Sequence, residues 1–332
     1  MTDTTHAIPP VVNISSTLTG KVKLGPQLFR REYEIHIIPQ KGTPVILTSI
    51  GISKPLNISF DIQMKAQDVN IMSLKMYNLS DTTKTLLTSK WTTIVLRLGY
   101  RDGPMQTMYQ GHIVGTPATT RLEGADYATT LLIKDGYTLH NVAVMGSVPE
   151  NACPKDVLKD IMSKIHIATN KHITLGTDAS TLDMPDRKTT GYSYVGTATQ
   201  VLKDFLYQYH YDYTVIRNEV YISRRGSTEA KTGNVIVLDR DSGLLTSPQP
   251  KGQDAGTPLN NTKVPDTGYT FQTLLHPAVL PTRTLHVFDP VRVGADGNPL
   301  ETFHQVQEVQ LKGDYSGTPW YSYVTTVTKE TI

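Results

Sequence analysis

Five aspartates are the first residues whose chemistry needs weighing. Asp102, Asp126, Asp135, Asp239 and Asp241 could supply a pair of carboxyls, one kept protonated by burial and one ionised, which is the machinery of glycoside hydrolysis. Asp239 and Asp241 flank Arg240, and two carboxylates beside a guanidinium form surface ion pairs far more readily than an acid and base couple. Ten histidines raise the question of a metal, yet none forms an H-x-x-x-H or H-E-x-x-H pattern, and His166 and His172 are separated by a probable turn. Cys153 is the single cysteine, so neither a thiolate cluster nor an intrachain disulfide is available. It fits a small half-buried residue ahead of a helix.

Nucleophile elbows, Walker loops and dinucleotide-type glycine turns are all absent from the chain. Tyr192, Tyr194, Tyr207, Tyr209, Tyr211 and Tyr213, with Arg217, Arg224 and Arg225, could be imagined as a base-stacking platform. The last four tyrosines straddle a helix-to-strand junction and would not share a face, so core and cross-strand packing is the expected role. No residue is assigned as catalytic, cofactor-binding or metal-ligating. No cofactor is expected, and the chain is read as non-enzymatic.

The 332 residues suggest two or three domains. A 38% hydrophobic share with 24 glycines is that of a folded protein, while 19% charged residues falls short of the usual ~25% and points to a surface committed to contacts. Net charge is +2, with no strongly basic segment of the kind a nucleic-acid binder carries. Neither specific nucleic-acid binding nor membrane binding is expected. No stretch approaches the ~18 apolar residues of a membrane span, and the opening MTDTTHAIPPVVNISSTLTG lacks a signal-peptide pattern.

The elements that must position these side chains are mostly strands. Residues 1–28, rich in Thr, Ser, Pro and Gly, form an N-terminal arm. In 59–65 the apolar residues alternate at the period of a half-buried strand. Similar stretches at 32–38, 44–50, 70–77, 92–100, 106–115 and 126–133, with one small helix over 78–88 capped by Ser80 or Asn78, make 29–140 a β-barrel-like domain.

From 141 to 225 a small α+β domain follows. Pro154 opens a helix with the stripe Val157, Leu158, Ile161, Met162 and Ile165. A second helix begins near Ala198, capped by Thr197, with the stripe Val201, Leu202, Phe205, Leu206 and Tyr209. A hairpin, 211–216 and 219–223, turns at Arg217-Asn218. Residues 226–332 return to strands at 234–240, 269–275, 283–288, 303–312 and 320–328, with a hairpin signal at Asp296-Gly297-Asn298 and a long loop at 248–267 suited to an interface arm. The fold class is mainly β: two antiparallel barrel-like portions flanking a helix-plus-hairpin module.

Ordered patterns in these elements carry a family likeness. Tyr77-Asn78-Leu79-Ser80 leads through the short helix to Thr92–Tyr100, ending in Gly-Tyr. Met108-Tyr109-Gln110-Gly111-His112-Ile113 reads aromatic-x-Gly-x-Ile, and Thr129–Gly136 enters an Asp-Gly turn. Ala198–Ile222 is a helix with a following hairpin, and Gly243-Leu244-Leu245 and Leu274-Leu275-His276-Pro277 mark the last portion. From about residue 32 to 328 the chain resembles the baseplate hub proteins of contractile-tailed bacteriophages, including the late control protein D group and the hub portion of type VI secretion spike proteins.

The resemblance implies a homotrimer whose two β-portions per subunit form a pseudo-sixfold ring, adapting a threefold spike to a sixfold tail tube. Its partners would be tail spike, tail tube and other baseplate proteins, its place the virion after assembly in the host cytoplasm, with the ring open to a passing genome. Unlike the best-known hub–spike fusions of that superfamily, this sequence shows no lysozyme-like or β-helical segment, so spike and lytic activity are expected on separate chains. The other functions the chain could serve are a tail-borne cell-wall or polysaccharide hydrolase, using a pair among the five aspartates, and a receptor-binding virion protein.

Overall fold

The computed structural model describes residues 30–89, 91–122, 126–170, 173–185, 190–225, 235–250, 268–293 and 299–327. The 1–28 arm, His172, the Asp296-Gly297-Asn298 turn and residues 251–267 of the expected long loop lie outside the described residues.

The first β-portion contains β1 (Arg31–Ile38), β2 (Val45–Thr48), β3 (Ile58–Lys65), β4 (Asn70–Tyr77), α1 (Asp81–Leu87), β5 (Thr93–Tyr100), β6 (Gln106–Ile113), β7 (Ala118–Arg121) and β8 (Tyr127–Asp135). Alternation does here what it predicts: Phe60, Ile62 and Met64 of β3 are buried while Gln63 and Lys65 are exposed. Ser80, not Asn78, caps α1, accepting from the Thr83 amide at 3.2 Å. Asn78 instead adopts a positive φ of 53° ahead of the cap.

The middle module holds α2 (Tyr137–Asn141), β9 (Ala143–Val148), α3 (Pro154–Ala168), β10 (Thr174–Leu175), β11 (Tyr192–Thr197), α4 (Ala198–Tyr207), β12 (Tyr211–Ile216) and β13 (Glu219–Arg224). Pro154 sits in the first turn of α3, and all five residues of the α3 stripe are buried. Thr197 caps α4 through the Gln200 amide, and Val201, Leu202, Phe205 and Leu206 are buried. Tyr209 falls just beyond the helix, its ring tilted against that of Phe205 with centroids 5.2 Å apart.

The last portion holds β14 (Ile236–Leu238), β15 (Gln249–Pro250), β16 (Tyr269–Leu274), β17 (Thr284–Val293), β18 (Pro299–Asp314) and β19 (Trp320–Val327). Several expectations need correcting. The strand expected at 303–312 extends over Pro299–Asp314, and the one at 234–240 covers only Ile236–Leu238. Gln249–Pro250 of the expected loop pair with β16. Short helix α2 and strands β7, β9, β10 and β11 are additional elements, and each lacks a strong periodic signal: β7 is exposed at all four positions, and β9 and β11 each carry a glycine.

The β-portions are joined into one 14-stranded sheet whose main path runs β15-β16-β19-β18-β3-β4-β8-β6-β5-β1-β2. Pairing is antiparallel throughout except at β14–β17 and β10–β13. Strand β18 serves both portions. Its first half pairs with β17 and its second with β3, from Glu308↔Lys65 to Asp314↔Ser59, while β19 lines its opposite edge. The pairing with β19 skips Gln307, whose carbonyl accepts instead from the Ala66 amide at 3.1 Å, the device by which a bulge bends a long strand. One apolar core runs through both β-portions, including Tyr33, Ile62, Leu74, Leu96, Val309 and Val324. A separate core fills the module around Phe205, Ile161 and Tyr213.

Candidate functional site

The candidate carboxylates are dispersed. Asp102 is exposed in the β5–β6 turn with φ of 62°, and Asp126 is exposed, accepting from Asn78 Nδ2 at 2.9 Å. Asp126 precedes β8 and Asp135 ends it, so at about 3.3 Å per residue they stand about 30 Å apart, beyond the roughly 5–10 Å over which two carboxyls flank a glycosidic bond. Asp239 closes a local turn, its Oδ1 accepting from the Ser242 amide at 2.7 Å, and Asp241 is exposed.

The other candidate chemistry is absorbed into structure in the same way. His166 contacts the Ile173 carbonyl at 2.8 Å through Nδ1. Burial holds His276 and His304 down at about 4, so both are neutral at physiological pH. Among the described residues no group of three or more His, Cys, Asp or Glu is placed to hold a metal. Tyr211 and Tyr213 are buried in the module core, and Tyr194 donates to Asp160 at 2.7 Å. Tyr207 is exposed beneath the Arg225 guanidinium, 4.9 Å from its ring centre, while Arg225 binds Asp212 at 2.8 Å. The tyrosines therefore do not form one platform.

Asp135 is the exception, a buried carboxyl with a dedicated set of partners. It ends β8 and meets the β12–β13 turn, where Arg217 and Asn218 have φ of 56° and 65°, the left-handed pair that a tight two-residue hairpin requires. One oxygen accepts from the Arg217 amide at 2.7 Å and the other from the Asn218 amide at 3.2 Å. Gly136 is also left-handed, φ 66°, and a Cβ there would stand 2.7 Å from Val215 Cγ1, so only glycine lets β12 approach this closely.

Neighbouring bonds complete the clamp. Asn70 Nδ2 donates to the Val215 carbonyl at 2.5 Å, the Gln67 amide donates to the Tyr213 carbonyl at 2.8 Å, and Gln67 Nε2 bonds Asp212. Arg217 reaches across to the Thr107 carbonyl at 3.1 Å. Tyr109 donates to the Asn70 carbonyl at 2.6 Å and accepts from the Asp135 amide at 3.0 Å. Burial pushes the Asp135 carboxyl up to about 7, against the pull of the Arg217 and Asn218 amides and the Arg217 guanidinium. With its acceptors turned onto backbone amides, this carboxyl fastens the module to the first β-portion. Sequence patterns mark both turns, Asp135-Gly136 and Arg217-Asn218, but carry no sign that one grips the other.

A second junction links the two β-portions. Arg31 donates to the Asp314 and Gly317 carbonyls at 2.7 and 2.6 Å and to the Thr318 carbonyl at 2.8 Å, and its guanidinium lies 5.2 Å from the Trp320 ring centre. Phe60 packs edge-on against Trp320 at 5.6 Å, and Gln310 donates to both oxygens of Asp61 at 2.9 Å. Gly313 of β18 leaves room for the Phe60 ring, which a Cβ there would overlap, and nothing local in the sequence distinguishes Arg31 or Gly313.

Exposed apolar side chains lie chiefly away from these junctions. Ile46 sits on the terminal strand β2, with Ile50 and Ile52 just beyond it, and Leu245 lies beside β16 near the other end of the sheet path. Met145 and Val195, 74% and 82% exposed, face each other across β9 and β11.

The fold is similar to those of several solved tail and secretion-system proteins. A 43 kDa tail protein of prophage MuSo2 from Shewanella oneidensis superposes with a TM-score of 0.54 and 10% identity over 90% of this chain and 97% of that one. A tail protein from Neisseria meningitidis MC58 gives 0.52 and 12%, covering 90% and 97%. The E. coli c3393 protein, a component of the type VI secretion system with structural similarity to the T4 bacteriophage tail proteins gp27 and gp5, gives 0.53 and 9%, covering 85% and 76%. At these identities the likeness is one of fold. No protein-family model matches the sequence, and no curated protein matches it significantly.

Proposed function

We propose that this chain is a non-enzymatic structural component of a contractile phage tail, the baseplate hub that forms a trimeric ring between a threefold spike and a sixfold tail tube. The observation that carries it is the single sheet shared by two β-portions in one chain, in a fold held in common with phage tail proteins. Both outermost strands of that sheet are short, β2 of four residues and β15 of two. A head-to-tail contact between such unlike ends closes into a ring when its rotation permits. Three copies would set six β-portions around one axis, matching a sixfold tube from threefold parts. The partners are spike, tube and neighbouring baseplate proteins, and the location is the virion tail, after assembly in the host cytoplasm.

Light scattering of the purified chain, alone and mixed with tube and spike proteins, tests this. The expected mass is three times 36.8 kDa, with further growth on adding tube protein. A monomer that ignores both partners, or one that clears a cell-wall suspension, would overturn the proposal.

A further inference from the structure

The ribbon of β9 and β11 pairs with no third strand among the described residues. Its inner face is seated on the module core through Val144, Val148 and Tyr194. The Ala198 amide donates to the Val142 carbonyl at 2.9 Å, and this bond sets the phase of the ladder. Counting in twos along the register, Val144↔Gly196, Gly146↔Tyr194 and Val148↔Tyr192 are the hydrogen-bonded pairs, so the backbone groups of Ala143, Met145 and Ser147 turn outward from β9.

Other edges of the fold are shortened or covered. The main sheet ends in strands of four and two residues, and on the outer side of β12 the Tyr213 and Val215 carbonyls accept from Gln67 and Asn70. Strand β9 is six residues long and, like β11, holds neither a charged residue nor a proline, the usual guards against strand addition. Its exposed side chains meet those of β11 as the uncharged pairs Ala143↔Thr197, Met145↔Val195 and Ser147↔Ser193. Alternating backbone donors and acceptors select an extended strand over a helix, which has already used those groups on itself. Two strands without charges select a segment without charges, which loses no ion hydration on docking.

Two β9 edges meeting each other would be related by a twofold axis, which does not close three copies into a ring. We propose that the outer edge of β9 is a strand-addition site for an extended, uncharged segment of another tail protein, with Met145 as the adaptable contact at its centre. The site rests on the tail assignment above, and the two fail in different ways.

Hydrogen exchange of residues 140–149, read by mass spectrometry in the purified chain and in assembled tails, tests it. The amides of Ala143, Met145 and Ser147 should exchange freely in the purified chain and gain about tenfold protection or more in tails. A chain missing from purified tails sinks the tail assignment, whereas a chain present there with these amides still exchanging freely sinks the strand-addition site alone. Protection already seen in the purified chain would overturn the site as well, because a second copy would then be the occupant. Met145→Pro removes one outward N–H and leaves the ladder with β11 intact. Its incorporation into tails should fall about tenfold or more with the mass of the free chain unchanged, while Met145→Thr should stay within about threefold of the parent. Equal incorporation of Met145→Pro and the parent would overturn the site. If Met145→Pro fails to fold, exchange in the unmodified protein decides.

Discussion

Raising the pH should weaken the grip of the first β-portion on the module. In the fold the Asp135 carboxyl titrates at about 7, against an ordinary 3.8. The folded protein therefore keeps a proton that the unfolded chain has shed between about pH 4 and 7. Bound protons favour the state that holds more of them, so this group's contribution to stability falls as pH rises through that window and levels off above 7. At about 1.4 kcal/mol per pH unit, a shift of about 3 units amounts to about 4 kcal/mol between pH 4 and pH 8.

Asp135→Asn isolates the effect. The amide resembles the protonated acid, keeping one acceptor for the Arg217 or Asn218 amide, and it does not titrate. Melting followed by circular dichroism at pH 5, 6, 7 and 8 should show the parent losing stability relative to the variant, by about 2.7 kcal/mol over that range, a change in their difference of about 4 °C for a chain of this length. After correction for the base-catalysed rise in intrinsic exchange, protection at the Arg217 and Asn218 amides should fall over the same range in the parent and stay constant in the variant. Parallel pH curves for the two proteins would refute the reasoning. So would a parent that gains on the variant as pH rises, which would mean that the turn amides and the Arg217 guanidinium outweigh burial.

Three further outcomes are expected. Gly313→Ala would place a methyl 2.1 Å from Phe60 Cζ against a ring packed on Trp320, and thermal melting should show a loss of about 1 to 3 kcal/mol. Thr197→Ala removes the cap bonded to the Gln200 amide at 3.3 Å, which urea titration should register as about 1 kcal/mol. Ile46→Lys combined with Ile50→Lys, both on exposed positions, should leave the melting temperature nearly unchanged. It should nevertheless abolish the trimer in light scattering, and an intact trimer would remove the β2 end from the assembly contact.

Periodic elements were legible in the sequence and cross-chain partnerships were not. The α3 and α4 stripes and the alternation in β3 declare themselves because each buries one face against a broad core, so side-chain type follows burial position by position. Strand β7, Ala-Thr-Thr-Arg, buries nothing and leaves no pattern. Strands β9 and β11 keep theirs short and interrupted, since Gly146 must make room for the Tyr194 ring, to whose hydroxyl oxygen a Cβ would come within 2.4 Å. Among the five candidate aspartates, only Asp135 has a buried setting with specific partners, and those lie 82 and 83 residues further along. A turn signal specifies its own backbone geometry, not the surface it will dock on, so the clamp becomes visible only in three dimensions. Arg31, whose carbonyl partners lie more than 280 residues away, is illegible for the same reason.

The sharing of β18 has a consequence for the newborn chain. Strand β3 leaves the ribosome early, yet the strand that covers its outer edge follows almost 250 residues later, as the Gln310–Asp61 bond records with a separation of 249. At about 5 to 20 residues per second, that edge waits roughly 12 to 50 s with its backbone groups unpaired. Translation that stalls before Glu308, or a fragment trimmed there, would leave the edge bare for good and recruit neighbouring strands into aggregates, so chaperone demand should be concentrated in that interval.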